Sequence, residues 1–128
     1  MNRYTLSPAG DHFLKVREAE GGRPRLTAYL DSKGIPTIGW GHIDGVRLGM
    51  TCSIEQAQAW FDEDTAWAVN AVNTLVRVPL APAQADALIS LVFNIGAGAF
   101  KTSTLLRKLN NGDFAGAAEQ FQIGRAHV

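Results

Sequence analysis

The sequence predicts an α+β domain, with an N-terminal helix and a small antiparallel sheet packed beside a mainly helical lobe. Three observations lead there. Helical spacing of apolar residues opens the chain, short β-rich pieces separated by glycine turns replace it between Arg25 and Leu48, and helical spacing returns after Ser53. With 128 residues, 46% of them hydrophobic and 19% charged, the chain suits one globular domain over residues 1–128. No internal repeat, low-complexity linker or charge block divides it.

Ser7-Pro8 reads as a cap followed by proline in a first helical turn, and Phe13, Val16 and Glu20 follow at i, i+3 and i+7 until Gly21-Gly22 ends the run. That spacing puts Glu20 in the last turn, on the apolar side. Leu26 to Leu30, Ile35 to Trp40 and Ile43 to Leu48 are the β-rich pieces, separated by Ser32-Lys33-Gly34 and Asp44-Gly45 turn chemistry. Ser53 with Gln56 makes a capping box. Ile54, Ala57, Trp60, Phe61, Ala68, Val69, Val72 and Leu75 then keep a helical period up to Pro79, as one long helix or two. Pro82 starts another helix, with Leu88, Ile89, Val92 and Ile95 pointing inward until Gly96, and breaks at Gly96–Gly98 and Asn110–Gly112 delimit two further short helices. A cleft between sheet and helices is the natural place for a site in such a plan.

Twelve acidic residues balance twelve basic ones, so overall charge gives no reason to expect nucleic acid or an anionic membrane as partner. The longest apolar runs, such as Ala87 to Phe93, fall far short of the roughly 20 residues of a membrane span. No basic-then-apolar segment opens the chain, and a soluble protein made in the cytosol is expected. Cys52 is the only cysteine, which excludes an internal disulfide and suits a small half-buried residue. His12, His42 and His127 have neither the spacing nor the cysteine and acid company of a zinc site, so neither metal nor cofactor is expected. Gly96-Ala97-Gly98 lacks the lysine of a phosphate loop and serves to break a helix.

Two carboxyl groups carry the chemistry. At a helix C-terminus beside Phe13 and Val16, Glu20 meets both a negative dipole end and apolar neighbours, a setting that favours a carboxyl keeping its proton and acting as a general acid. Asp31, in a turn with Ser32, Lys33 and Gly34, has the exposed polar setting of a general base. Such a pair is the usual arrangement for cleaving a glycosidic bond, and Thr37, across the hairpin from Asp31, could supply a hydroxyl that holds the attacking water. Acids at helix ends and in turns are commonplace, however, and spacing alone does not separate this from a hairpin whose acids face water. His42, next to glycines at a strand end, is expected to bond a carbonyl or carboxylate rather than to catalyse. Trp40, Trp60 and Trp67 could stack on sugar rings, but Trp60 and Trp67 fall at i and i+7 of one helical stripe, which favours core packing.

Glu20-Gly21, Arg25-Leu26-Thr27-Ala28-Tyr29-Leu30-Asp31, Gly34 and Thr37-Ile38-Gly39-Trp40-Gly41-His42 resemble the opening signature of the phage-type lysozymes, the endolysin muramidases. Gly49-Met50-Thr51, Gln56-Ala57, the Ala87 to Gly96 run, Gly98-Ala99-Phe100 and the Ser103 to Asn110 run resemble the rest of that pattern in order, so the resemblance covers residues 8 to 121. It implies a lysozyme-like fold and a peptidoglycan hydrolase that cleaves the β-1,4 bond between N-acetylmuramic acid and N-acetylglucosamine during phage-mediated lysis. By the same resemblance Glu20 is the general acid, Asp31 assists water attack and Thr37 positions the nucleophile, with inversion at the anomeric carbon. Inversion needs a gap of roughly 6.5 to 9.5 Å between the carboxyls. Some related phage lysozymes form an anhydro-sugar without water, which keeps lytic transglycosylation as an alternative. Ile43, Phe93, Ser103 and Gln120 would touch sugar or peptide and Asn94 would face the cleft near Glu20; for Phe93 an apolar core position is equally open. The implied partner is the peptidoglycan glycan strand, met by a monomer without membrane insertion. Made in the host cytoplasm, the protein would depend on a membrane-perforating partner to act in the periplasm.

The sequence departs from that pattern twice. Ten residues separate Glu20 from Asp31, two more than the family usually has, with the extra pair around Arg23-Pro24, and a bulged hairpin entry could absorb them. The family also continues past this point with a tryptophan, a Gly-Gly turn and an Arg-Arg-x-x-Glu helix. Here Phe121-Gln122 gives way to Ile-Gly-Arg-Ala-His-Val, a hexapeptide that a widely used sequencing adapter encodes in one reading frame. Residues 123 to 128 are therefore expected to be a non-native tail on a truncated chain, leaving apolar faces of residues 84 to 121 uncovered. A non-catalytic or degenerate peptidoglycan-binding fragment is the alternative that follows.

Overall fold

The computed structural model describes residues 4–126, the side chains of Glu20 and of residues 122–126 excepted. Helix α1 (Pro8–Glu18) and a 3-10 turn (Glu20–Gly22) precede strands β1 (Arg25–Leu30) and β2 (Pro36–Gly39). Helices α2 (Ile54–Leu75), α3 (Pro82–Ile95), α4 (Ala97–Lys101), α5 (Thr104–Asn110) and α6 (Phe114–Ala126) follow. The chain forms two compact units, residues 8–66 and residues 1–7 with 67–128. The α2 segment is one helix, not two, and supplies residues to both units.

Within residues 8–66, β1 and β2 pair antiparallel with Arg25 opposite Gly39, Tyr29 opposite Thr37 and Leu30 opposite Pro36. From Arg25 to Tyr29 the first strand advances four residues while β2 advances only two, so β1 itself absorbs two extra residues. The reason is a change of partner: the Cys52 amide donates to the Leu26 carbonyl and the Ala28 amide to the Met50 carbonyl, both at 2.9 Å. This corrects the expected third β piece. Residues 43–48 form turns, because Gly41, Gly45 and Gly49 adopt φ of +83°, +71° and +94° and reverse the chain repeatedly. Thr51, beyond them, bridges Thr27 instead. Ala28, Ile38 and Val46 are buried beneath this sheet, with Met50, half-buried Cys52 and Trp60 packed against them.

Helix α1 also departs from its expected orientation. Phe13 and Val16 are each 45% exposed, while Gly10, Leu14 and Lys15 are buried. The helix stops at Glu18, and Glu20 opens a separate turn in which Gly21 has φ +67°. Burial follows Leu14 and Lys15 because the Lys15 ammonium lies 4.0 Å from the centroid of the Trp40 ring while bonding Asp11 at 2.6 Å and the Gln58 side-chain carbonyl. A lysine can bury its stem when its head is satisfied, which apolar spacing does not register.

In the second unit Ala68, Val72, Val76, Leu88, Ile89, Val92, Phe100 and Leu105 share one buried cluster, with Ile95 at its margin. Three short helices replace the expected two. Ser103 separates α4 from α5 by accepting the Leu106 amide at 3.1 Å, the side-chain cap that starts a new helix. Asn110 closes α2 from a distance, donating to the Leu75 carbonyl at 2.9 Å and accepting the Arg77 amide at 2.7 Å. Two α2 positions expected inward are open: Ile54 is 56% and Trp67 42% exposed. Leu80, Leu88, Leu105, Leu109, Phe114 and Phe121 line an apolar groove of about 190 Å³ in the region expected to carry uncovered apolar faces. No helix among the described residues is long and apolar enough to cross a membrane.

Candidate active site

Asp31 makes the β1–β2 turn. Its amide donates to the Ile35 carbonyl at 3.0 Å, and its Oδ1 accepts the amides of Lys33 at 2.8 Å and Ile35 at 2.9 Å. This is the side-chain mimicry of a backbone turn for which aspartate is suited. One carboxylate oxygen is thus fixed by the fold, and Oδ2 carries no hydrogen bond among the described residues. Thr37 faces Tyr29 across the hairpin, whereas Asp31 faces Ile35. Thr37 is only 3% exposed and its hydroxyl donates to the Ile35 carbonyl at 2.8 Å, leaving Oγ1 with acceptor capacity alone.

The backbone of the Glu20–Gly22 turn is tied to the opposite end of β2. There the buried Trp40 indole donates its N–H to the Gly22 carbonyl at 2.9 Å. The acid-bearing turn and Asp31 therefore attach to the two ends of one short strand, with Thr37 between. The Glu20 carboxyl, and the expected approach of Asn94 to it, lie outside the described residues. His42 behaves as its position suggests: Nδ1 pairs with Asp64 Oδ2 at 2.8 Å, and the buried ring stacks on Trp60 with centroids 4.6 Å apart. Trp40 and Trp60 are thus both engaged inside the fold.

Ile43 is 53% exposed in the turn after His42. Phe93 is half-buried at the margin of the core and stacks on Trp67, with centroids 5.9 Å apart and planes at 24°. Asn94 is exposed, its amide donating to the Ser90 carbonyl at 3.1 Å. Ser103 spends its hydroxyl on the α5 cap and on the Phe100 carbonyl at 2.8 Å. Gln120 is half-buried on α6. Phe93 is brought against Trp67, Asn94 is next to it along α3, and no hydrogen bond joins Ser103 or Gln120 to them among the described residues.

Reading the sequence missed Glu18. Its Oε2 sits so close to Gly41 that a Cβ on that glycine would lie 3.1 Å away. Burial of the carboxyl, partly offset by neighbouring Arg17, raises its proton affinity above the ordinary value of 4.5. The available signal was an acid two residues before Glu20 together with a glycine at φ +83° facing it. Because the folded state holds this proton more tightly than the unfolded chain, Glu18 contributes nothing below pH 4.5 and lowers stability as pH rises through its folded value. Glu18→Gln is therefore expected to raise the melting temperature slightly at pH 7 and to leave it unchanged near pH 4, since the residue is largely exposed. Thermal melts of both proteins at the two pH values check this; an equal difference at both would show that the carboxyl is not desolvated.

A sequence model described as phage lysozyme matches residues 17–125. The endolysin of Salmonella phage P22 is 48% identical over 123 residues, covering 92% of this chain and 82% of the P22 protein. Among solved structures, an endolysin from an Escherichia coli O157:H7 phage, FAHEc1, has a TM-score of 0.80 at 39% identity, covering 92% of this chain and 75% of that one. The muramidase domain of SpmX from Asticaccaulis excentricus has a TM-score of 0.75 at 38% identity, covering 91% of this chain and 77% of that one. The fold of these neighbours agrees with the helices and small antiparallel sheet found here, the α+β class read from the sequence.

Proposed function

The chain belongs to the phage lysozyme family, the glycoside hydrolases that degrade peptidoglycan in phage lysis, and on that premise we propose that it is an inverting muramidase. It cleaves the β-1,4 bond between N-acetylmuramic acid and N-acetylglucosamine. Glu20 gives its proton to the glycosidic oxygen, which leaves with the bonding electron pair. Asp31 takes a proton from a water whose oxygen forms the new bond at the anomeric carbon, on the face opposite the leaving group. Oγ1 of Thr37 accepts the other hydrogen of that water. The observation that carries this reading is the strand β2 itself, which anchors the acid-bearing turn at one end and Asp31 at the other with a hydrogen-bonded threonine between them. Inversion requires a separation of roughly 6.5 to 9.5 Å between the two carboxyls, which admits a water.

Ile43, Phe93, Asn94, Ser103 and Gln120 contact the glycan or its peptide. The protein works as a monomer on glycan strands. Synthesised in the host cytoplasm, it reaches the periplasmic wall after a partner has perforated the inner membrane. Digestion of purified peptidoglycan, followed by proton NMR in the first minutes, is expected to show new reducing N-acetylmuramic acid ends of inverted configuration. Initial product of retained configuration would overturn the mechanism. One second reading is lytic transglycosylation, since the Thr37 hydroxyl, its proton committed to Ile35, meets a nucleophile only as an acceptor and does not itself distinguish water from a sugar hydroxyl. Its mark would be 1,6-anhydro ends with no gain of reducing sugar.

A further inference from the structure

We propose that the exposed indole of Trp67, held by stacking on Phe93, is a sugar-binding platform that takes the apolar face of an N-acetylhexosamine ring. This rests on the peptidoglycan-hydrolase reading and adds a subsite to it. The three tryptophans differ in kind. Trp40 is 8% exposed with its N–H bonded to Gly22, and Trp60 is covered by the His42 ring. Trp67 is 42% exposed, and its indole N–H has no acceptor among the described residues. Its ring is nevertheless not loose, because Phe93 lies 5.9 Å away at 24° and is itself packed against the buried cluster of its unit.

A large aromatic surface fixed in orientation but left in water is poorly explained by stability, since a tryptophan contributes most when its area is buried. It is well explained by a ligand with one apolar face and a polar rim. A pyranose in the β-linked series presents axial C–H groups on its face, which meet the negative π surface of an indole, while its edge carries hydroxyl and acetamido groups. The free indole N–H can donate to an acetamido carbonyl. Asn94, the next residue along α3, is exposed, with an amide N–H donating to the Ser90 carbonyl and its own carbonyl oxygen left open. None of Trp67, Phe93 and Asn94 is charged, which fits a neutral sugar better than a phosphate or an acidic peptide.

The probe is a β-1,4-linked N-acetylglucosamine tetramer titrated into the full chain, read by tryptophan fluorescence and by calorimetry. Trp67→Ala is expected to weaken binding roughly 3- to 10-fold, the loss of one aromatic stacking contact. Trp67→Phe, which can keep its own stack on Phe93, should recover most of it. On peptidoglycan the same Trp67→Ala change should raise KM and leave kcat close to that of the parent, the pattern of lost uniform binding. If Trp67→Ala with an unchanged melting temperature binds the tetramer like the parent, the platform is refuted. It is equally refuted if a stem peptide perturbs the Trp67 fluorescence and the tetramer does not. Neither result would touch the hydrolase reading, which fails on its own if Glu20→Gln remains fully lytic.

Discussion

Glu20→Gln is expected to clear permeabilised Gram-negative cells about 100- to 10,000-fold more slowly than the parent, the usual worth of a positioned proton donor. Glutamine keeps the shape of the side chain and removes only the transferable proton. The turn should survive, because its path is set by Gly21 at φ +67° and Gly22 at φ +72° and by the Trp40 bond to the Gly22 carbonyl, none of which uses the Glu20 side chain. Stability is therefore expected to stay within about 0.5 kcal/mol of the parent, as for most substitutions away from buried networks. Turbidity loss and a thermal melt on the same preparation separate lost chemistry from lost fold. Full clearing by Glu20→Gln would remove this residue from the mechanism, and Glu18→Gln is the informative companion. Glu18 lies two residues earlier, carries a raised proton affinity and sits against Gly41, so its replacement tests the neighbouring acid of the same segment. Clearing by the Glu18→Gln protein at near the parental rate is expected.

What the sequence revealed of this fold depended on how local the governing interaction is. Helix starts were readable where a side chain bonds its own first turn: Ser53 accepts the Gln56 amide at 3.0 Å, and Pro82 opens α3 as its position suggested. The Asp31 turn was readable for the same reason, since aspartate satisfies amides two and four residues on. The boundary inside the Ser103 region was harder, because that serine is both a family position and a cap, and only its hydrogen bonds tell that capping uses its hydroxyl. Interactions distant in sequence were not readable. The exchange of partners by β1, over which it advances two residues more than β2, depends on Met50 and Cys52 more than twenty positions away. Trp60 and Trp67 share a helical stripe, yet one packs under His42 and the other is open to solvent, because α2 serves two compact units. Glu18 escaped because its partner, Gly41, offers only backbone.

The largest stability effect outside the central cores is expected at Lys15, and its sign across substitutions distinguishes two kinds of stabilisation. Lys15 is 9% exposed, its ammonium 4.0 Å from the centroid of the Trp40 ring and 5.3 Å from that of Phe61. Asp11 holds it at 2.6 Å, but that carboxylate is itself partly open to water, so the ion pair contributes at most about 1 kcal/mol. The cation over two ring faces adds roughly 1 to 2 kcal/mol. Burial of the four-carbon stem, at about 0.8 kcal/mol per methylene, is the larger contribution. Lys15→Ala removes the ion pair, the cation and three of the four stem methylenes and should cost about 3 to 5 kcal/mol, a substantial part of the roughly 5 to 15 kcal/mol that holds an ordinary domain together. Lys15→Met keeps most of the stem and exchanges a partly desolvated ion pair for apolar contact, a replacement that is often close to neutral. It should therefore recover most of the loss. Urea unfolding at pH 7 with unchanged m-values decides between the contributions, and a methionine variant as unstable as the alanine one would show that the charge, not the stem, dominates. The consequence reaches the site, because Trp40 lies under this lysine and holds the Glu20–Gly22 turn through Gly22. Lys15→Ala should accordingly lose lytic rate at temperatures where its secondary structure is still intact, whereas Lys15→Met should not.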